Sequence, residues 1–496
     1  MAPVERDLDA AAFLACKQGL LINGERVSAA SGETFVTLNP SNGEPLADVA
    51  SAGAADVDRA VRSSRRAFES GVWRTKMTPR DRVNALLRLC TLLEEKREEM
   101  AQLEALDGGK PVSNARNDDL PISTNYLRYS ATMADKIVGE TRPVSVPNVL
   151  SYTVREPVGV CGAIIPWNYP LMMAVWKVGP ALAAGNSLVL KPAEQTPLTA
   201  LRLGELALEA GIPPGVLNVI PGIGEVAGAA LALHPDVDKI AFTGSTSVGQ
   251  EIVRAASGNL KRVSLELGGK SPHIIFADGD VSTAIDHASA GIFYNQGQDC
   301  TAGSRVFVER SAYDQVASGI VGRARAMRIG DTMDLATEQG PLITAEHRER
   351  VASFVDEAAS DGLDVIAGGS RVAGHGFFYE PTVLGPISNL ARIAQEEIFG
   401  PVVVLIPFDG EDDAVLQSNQ SRYGLAAGFW TRDLNRALRV ASRLRAGRIW
   451  INGWGYGDAT TPFGGFKMSG WGRENGREVF DMYTEVKNVW MRFYDS

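Results

Sequence analysis

Three side chains in this 496-residue chain have the types and settings needed for carbonyl chemistry. Cys300 lies in Gly297-Gln298-Asp299-Cys300-Thr301-Ala302-Gly303, among small and polar residues at a helix-to-strand break. That setting can present a thiol, and the thiolate is the form that attacks carbon. The same stretch also suits a buried structural cysteine, the commoner fate of a lone one. Glu266 lies in Val263-Ser264-Leu265-Glu266-Leu267-Gly268-Gly269-Lys270, an acid inside an apolar strand that ends at two glycines. Burial disfavours its charge and raises its pKa toward neutrality, as a general base at pH 7 requires; a salt-bridged structural glutamate fits equally well. Asn168 sits in Ile164-Ile165-Pro166-Trp167-Asn168-Tyr169-Pro170, a turn stiffened by two prolines. Its amide suits either donation to an oxyanion or a helix cap.

Two further segments read as nucleotide contacts. Ala241-Phe242-Thr243-Gly244-Ser245-Thr246-Ser247-Val248-Gly249 is a strand, a glycine turn at Gly244-Ser245 and a helix start, where backbone N–H groups and the helix dipole suit a phosphate. Val189-Leu190-Lys191-Pro192-Ala193-Glu194 runs a strand into a charged turn. An acid there can hold ribose hydroxyls and would repel a 2′-phosphate, favouring NAD over NADP; a solvated turn is the alternative. Gly222-Ile223-Gly224 with Gly228 misses the dinucleotide fingerprint by one residue and reads as a loop.

The elements that must carry these residues are legible in outline. Residues 20–27 read as a hairpin turning at Asn23-Gly24. Residues 56–68 and 79–106 read as amphipathic helices, the second with Leu86, Leu89, Leu93, Met100 and Leu103 at helical spacing. From 158 onward, strands at 158–165, 187–190, 216–220 and 239–242 alternate with helices at 171–184, 198–210, 226–233 and 248–256. This alternation predicts a parallel sheet covered on both faces, with its ligand crevice at the carboxyl ends. A second alternating stretch holds strands at 304–309, 401–408 and 448–452, with helices at 280–295, 311–328, 345–360 and 434–445. The economical reading is two α/β lobes of about 200 residues each. Residues 1–140 and 158–268 form the nucleotide-binding lobe and residues 269–470 the second, catalytic lobe. Residues 141–157 and 484–496 have strand composition but no place in either lobe, so they predict pairing with another subunit, as a homodimer or homotetramer.

Composition narrows the field. A formal charge of −10 argues against a nucleic-acid or anionic-membrane partner, and no apolar run reaches membrane-spanning length. Glu5, Asp7 and Asp9 are residues a secretory or transit peptide avoids, so a cytoplasmic location is expected. Cys16, Cys90, Cys161 and Cys300 are scattered, and the five histidines form no HExxH. Neither a disulfide framework nor a metal is therefore expected.

Together, in this order and spacing, these segments resemble the aldehyde dehydrogenase superfamily from about Leu20 to Arg492. Glu396-Glu397-Ile398-Phe399-Gly400-Pro401 and Pro462-Phe463-Gly464-Gly465 are further matching motifs. The resemblance implies a Rossmann-like cofactor domain, an α/β catalytic domain and a small β extension for oligomerisation. It makes Cys300 the nucleophile, Glu266 the general base, and Asn168 with the Cys300 N–H the oxyanion hole. Lys177 and Glu474 match a proton-relay pair. Lys191 and Glu194 match the adenosine-ribose contacts and Ser245 the pyrophosphate contact. Ile164, Pro166 and Trp167 lie near the cofactor, and Glu397 and Phe399 surround the nicotinamide ribose and ring. The implied reaction is NAD-dependent oxidation of an aldehyde to an acid through a thiohemiacetal and a thioester. Glu266 favours hydrolysis over transfer to coenzyme A.

By the same resemblance, Tyr169, Met173, Trp176, Tyr294, Asp299, Thr301, Trp454, Tyr456 and Phe463 surround a substrate tunnel. Its aromatic character suits a cationic aminoaldehyde of the γ-aminobutyraldehyde or betaine-aldehyde type, with Asp299 adding a carboxylate near the cation. The segment around Trp167–Lys177 and the run Gln298-Asp299-Cys300-Thr301-Ala302 resemble that branch. Aromatic, arylalkyl and aliphatic aldehydes are the alternatives. Two rival classes are a non-catalytic crystallin-like family member and a cofactor-free cysteine hydrolase. The first would be marked by loss of Cys300 or Glu266, and the second needs a histidine base that the contexts of His273 and His287 do not supply.

Overall fold

A computed structural model describes residues 4–494; the outermost residues of the segments 1–140 and 484–496, namely 1–3 and 495–496, lie outside the described residues. The chain builds two large sheets and two small ones. At the centre of the first are five parallel strands in the order Arg262–Glu266, Lys239–Thr243, Val160–Ile164, Ser187–Lys191 and Leu217–Val219. Antiparallel edges are added by Gly470–Trp471 on one side and by the hairpin Leu20–Ile22/Glu25–Val27 on the other. The strands Val160–Ile164, Ser187–Lys191 and Lys239–Thr243 are buried along their whole length, as expected of a sheet with both faces covered.

Strand order decides where a ligand can enter. From Val160–Ile164 the chain moves to one side through Ser187–Lys191 and Leu217–Val219, then crosses to Lys239–Thr243 on the other side. The reversal falls between Ile164 and Thr243, and a crevice outside the carboxyl ends opens there. The turn Ile165–Pro170 and the turn Gly244-Ser245 therefore flank one opening.

The second sheet runs Val365–Ala367, Thr382–Leu384, Val402–Phe408, Arg305–Glu309, Pro272–Ile275, Ala426–Trp430 and Arg448–Ile451, parallel except for its first strand. Its central strands Pro272–Ile275 and Ala426–Trp430 are absent from the sequence reading, as are Val365–Ala367 and Thr382–Leu384. One opens on proline and histidine and another reads Ala-Ala-Gly-Phe-Trp, so neither displays the β-branched run that marks a buried strand. The hairpin Thr34–Leu38/Pro45–Ala50 also has no forerunner.

The described strands of the segments 141–157 and 484–496 pair with each other. Thr484–Arg492 runs antiparallel to Val149–Pro157 through nine residue pairs, and Thr141–Arg142 adds a short third strand. Residues 79–106, expected as one helix, are two: Pro79–Glu95, opened by a Thr78/Asp81 capping box, and Arg97–Gly108. Both halves feed one apolar cluster, so the heptad from Leu93 to Met100 conceals the break. At the break Lys96 is held by Asp9 at 2.7 Å, while buried Glu99 accepts from Arg202 at 2.6 Å. Residues 226–233 likewise divide into a π-helical turn, Gly224–Gly228, and a short helix, Ala229–Leu233.

Candidate active site

One cavity of about 820 Å³ gathers the residues that chemistry singled out. Cys300, Glu266 and Asn168 line it together with Pro166, Trp167, Gly244, Ser245, Glu397 and Phe399. So do Tyr169, Met173, Trp176, Tyr294, Asp299, Thr301, Trp454, Tyr456 and Phe463. Five expected site residues lie outside its lining. Ile164 ends its strand with its side chain in an apolar cluster. Lys191 donates to Glu194 at 3.0 Å at the end of the neighbouring strand. Lys177 and Glu474 form an ion pair that is almost wholly buried.

The nucleophile loop is set by an unusual backbone. Helix Val281–Phe293 ends in three consecutive left-handed residues, Asn295 (φ 49°), Gln296 (φ 58°) and Gly297 (φ 68°). Each non-glycine residue there costs about 1–3 kcal/mol, so its side chain must be held. The Asn295 amide donates to the carbonyls of Asn168 (2.9 Å) and Gln298 (3.2 Å), and Gln296 Nε2 donates to the Gly109 carbonyl at 3.1 Å. Only glycine fits at 297, because a Cβ would run into the Gly400 carbonyl. Gln298 Oε1 accepts from the Ile343 N–H at 3.0 Å, which fixes the loop from a further side.

Asn168 is tied to this loop from the opposite sheet. Its Nδ2 donates one hydrogen to the Gln298 carbonyl at 2.9 Å, two residues before the thiol. An amide nitrogen carries two hydrogens, so one remains for a ligand. The glycines after Glu266 allow close approach: a Cβ on Gly269 would collide with the Cys300 carbonyl, and one on Gly268 with the Glu397 carboxylate.

Electrostatics in the cavity oppose ionisation. Burial pushes the half-buried Cys300 thiol well above its ordinary pKa, and Asp299, Glu266 and Glu397 add to the shift. Burial also drives Glu266 well above the usual carboxylate range; Glu474 reinforces it, while Lys177, Arg473 and Arg448 oppose it. Glu266 Oε2 is buried without a hydrogen-bond partner, a base with one oxygen free. Glu397 is raised to about 7 by burial, against the opposing pull of the Gly269 N–H at 2.8 Å.

The part of the cavity facing the first sheet suits a dinucleotide. Gly244-Ser245 opens helix Thr246–Ala256, and Ser245 Oγ accepts from the Val248 N–H at 3.3 Å. Thr243 Oγ1 is buried with no partner. Gly222-Ile223-Gly224, expected as a loop, lies beside Lys191 at the end of the neighbouring strand: a Cβ on Gly224 would stand 4.0 Å from Lys191 Nζ. Phe399 adopts φ 63° and meets the Trp167 ring edge-on at 5.3 Å.

Several lining residues have no counterpart in the sequence reading. His347 and Arg350, one helical turn apart on Ala345–Ser360, anchor the Glu397–Phe399 loop. His347 Nε2 lies 2.7 Å from the Phe399 carbonyl, and Arg350 donates to the carbonyls of Ile398 (2.5 Å) and Glu397 (2.8 Å). Asp118, Tyr126, His287, Trp450 and Arg448 also line the cavity. Asp118 and Tyr126 come from residues 107–140, a stretch with no motif to flag it, and His287 was set aside for its unremarkable context. The carboxylate expected to receive a cation, Asp299, is already engaged. It accepts from the Tyr169 hydroxyl at 2.6 Å and from the Thr301 N–H and hydroxyl at 2.6 and 2.7 Å.

Two expectations follow. Gly269→Ala should lower kcat/KM by about 100-fold, the scale of a 1 Å misplacement of reacting groups, while thermal denaturation shows the fold retained; unchanged kinetics would refute the contact. Alkylation of Cys300 by iodoacetamide in the free protein should rise steadily from pH 7 to pH 10, because a raised pKa keeps the thiol protonated at neutrality. Glu266→Gln, which removes an anionic neighbour, should move that rise to lower pH.

This geometry agrees with what the chain is similar to. Residues 27–489 match the Aldehyde dehydrogenase family. The putative aldehyde dehydrogenase DhaS of Bacillus subtilis is 48% identical over 483 residues, covering 97% of both chains. The structure of an aldehyde dehydrogenase from Bacillus cereus in complex with NAD+ superposes with a TM-score of 0.98 at 48% identity, covering 99% of this chain and 100% of that one. A P. syringae indole-3-acetaldehyde dehydrogenase, in complex with NAD+ and IAA, superposes at 0.95 with 46% identity over 98% of each chain. The chain belongs to the aldehyde dehydrogenase family.

Proposed function

We propose that this NAD-dependent aldehyde dehydrogenase oxidises aromatic and arylalkyl aldehydes to carboxylic acids through a thioester on Cys300. The convergence of a thiol, an amide with a spare hydrogen and a buried carboxylate on one aromatic cavity carries this reading. Residues 4–140 and 158–268 are assigned to cofactor binding and 269–470 to catalysis. The strands within 141–157 and 484–494, with exposed Val486, Trp490 and Met491, are assigned to pairing with another copy. The dinucleotide would be held by Gly244-Ser245 at its phosphates, Lys191 and Glu194 at one ribose, and Glu397 with Phe399 at the other end. When bound it accepts the hydride released from the substrate carbon.

The chain's own residues supply the rest. Cys300 gives up its proton to solvent through the open cavity, and the thiolate sulfur adds to the carbonyl carbon. The carbonyl oxygen becomes an alkoxide that accepts from the spare Asn168 hydrogen and the Cys300 N–H. After hydride loss the carbon is a thioester. Glu266 then draws a proton from water, the water oxygen attacks, and the carbon–sulfur bond breaks to release the acid and the thiolate. The Lys177–Glu474 pair, coupled by charge to Glu266, is placed to pass that proton onward.

Substrate preference is argued from the wall. Tyr126, Trp176 and Phe463 form a chain of edge-to-face contacts, each 5.2 Å between ring centroids, that suits a flat apolar body. The 46% identical P. syringae relative, an indole-3-acetaldehyde dehydrogenase, points the same way. A second reading, the aminoaldehyde, draws on Asp118 and Asp299, two carboxylates at the same cavity.

With phenylacetaldehyde and NAD, absorbance at 340 nm should rise, and Cys300→Ala should abolish it. Glu266→Gln should leave a burst near one equivalent per site, followed by turnover reduced about 100- to 10,000-fold. An unaffected steady state would remove Glu266 from the mechanism. Because its pKa is raised, the basic form is present only above the ordinary carboxylate range, so wild-type kcat should climb between pH 6 and 9 and not level off near pH 5. Phenylacetaldehyde should exceed 4-aminobutanal in kcat/KM, and the reverse order would establish the aminoaldehyde reading.

A further inference from the structure

We propose that Arg448 and the Tyr126 hydroxyl form a subsite for a carboxylate carried by the aldehyde at the end remote from its CHO group. The inference rests on the aldehyde tunnel described above and adds a selecting charge to it.

Arg448 opens strand Arg448–Ile451 at the edge of the second sheet and is half-buried in the cavity wall. Its guanidinium lies 4.9 Å from the Phe463 ring centroid and 6.0 Å from that of Trp450. Only Nη2 donates within the protein, through long bonds to Thr461 Oγ1 (3.3 Å) and the Pro462 carbonyl (3.4 Å). Nε and Nη1 have no acceptor among the described residues, and no carboxylate there lies within ion-pair reach of the side chain. Burial lowers the Arg448 pKa, opposed through charge by Tyr126 and Glu266, so an anion bound beside it would stabilise the cation further. Arg350, the other arginine of the cavity, spends its donors on backbone carbonyls.

Tyr126 brings a second free donor to the same point. A Cβ placed on Gly457 would stand 3.2 Å from both Arg448 Nη1 and the Tyr126 hydroxyl oxygen. Gly457 lines the cavity and adds no side chain, so it puts nothing of its own between these two neighbouring donors and the cavity. The Tyr126 hydroxyl has no hydrogen-bond partner among the described residues, and its ring packs edge-on against Trp176.

Apart from Glu266, the base at the reacting end, which acts on Arg448 through charge but makes no ion pair with it, the carboxylates near this end of the tunnel are answered. Asp299 accepts from Tyr169 and Thr301, Asp118 accepts from Tyr294 at 3.0 Å, and Asp119 pairs with Lys110. The charge left without a partner is positive. A carboxylate supplies two acceptor oxygens in the geometry a guanidinium fork prefers, with the phenol as a third donor. Phe463 and Trp176 beside the pair would flank an aromatic or alkyl spacer between the carboxylate and the reacting carbon.

The test compares 4-carboxybenzaldehyde with benzaldehyde by kcat/KM, following NADH in the intact enzyme. Wild type should favour the carboxylated aldehyde, and the preference should shrink with added salt. Arg448→Gln should cut the ratio about 10- to 100-fold, the worth of a charge-assisted contact, mainly through KM and with benzaldehyde turnover retained. Arg448→Lys should restore part of it, and Tyr126→Phe should lower it severalfold. If Arg448→Gln loses turnover on both aldehydes, the Tyr126→Phe ratio decides. A wild-type ratio below one, or a ratio unmoved by these variants while benzaldehyde is still oxidised, overturns the subsite alone. Absence of turnover with every aldehyde refutes the activity and the subsite with it.

Discussion

The Gln298 carbonyl holds the two halves of the chemistry together. It accepts from Asn168 at 2.9 Å and from Asn295 at 3.2 Å, and the Asn295 amide also reaches the Asn168 carbonyl. Asn168 follows a strand of the first sheet, whereas residues 295–300 lead into the second. The amide proposed to hold the alkoxide and the sulfur proposed to attack thus belong to separate sheets, and this small amide network sets their separation. Its cost is visible in the left-handed run Asn295-Gln296-Gly297, strain that a surface loop would relax. Preorganised donors are useful in catalysis because they need no rearrangement as charge develops. The three glycines at 268, 269 and 297 let neighbouring backbone and carboxylate approach this network more closely than any side chain would allow.

The electrostatic logic follows from that burial. Cys300, Glu266 and Glu397 are all pushed toward their neutral forms, and each carboxylate raises the thiol further. A resting site of this kind suppresses wasteful alkylation or oxidation of the thiol, since the reactive thiolate is rare. It also makes ionisation depend on whatever positive charge enters the crevice. The buried Lys177–Glu474 pair supplies a counterpoise of both signs: Glu474 pushes the Glu266 pKa up and Lys177 pulls it down. The two effects on the Glu266 proton affinity oppose each other, so the pair acts on it less than one of its charges without the other.

How much of this was legible in the sequence depends on the kind of signal. Alternating apolar runs disclosed the first sheet nearly strand for strand, because fully buried parallel strands are continuous hydrophobic segments. The second sheet was only half visible, since Pro272–Ile275 opens on proline and histidine with just two isoleucines after them, Ala426–Trp430 has no β-branched residue, and both owe their strand form to the neighbours they pair with. Cys300, Glu266 and Asn168 could be named from local context and from the company they keep. The left-handed turn could not: asparagine and glutamine at 295–296 carry no sign that tertiary hydrogen bonds will hold positive φ. His347 and Arg350 were invisible for a related reason, as they serve by gripping backbone carbonyls and leave no motif. The expected role of Asp299 as a cation receptor depended on a free carboxylate. Local hydrogen bonds from Thr301 and a distant one from Tyr169 occupy it, and the second of these no sequence spacing could disclose.

The same distinction separates the parts of the cavity by function. Residues to which the chemistry is assigned hold their polar atoms in reserve: one Asn168 hydrogen, the Glu266 carboxyl and the thiol itself remain uncommitted. Residues that shape the tunnel spend theirs, as Tyr169, Tyr294, Thr301 and Arg350 do on nearby acceptors. The edge-to-face chain of Tyr126, Trp176 and Phe463 then fixes the wall without using hydrogen bonds at all. On this criterion Arg448 and the Tyr126 hydroxyl fall with the proposed reacting groups and not with the scaffold. Both line the cavity while Arg448 Nε and Nη1 and the phenol hydroxyl stay uncommitted among the described residues, and an incoming carboxylate could use them without breaking any contact within the wall.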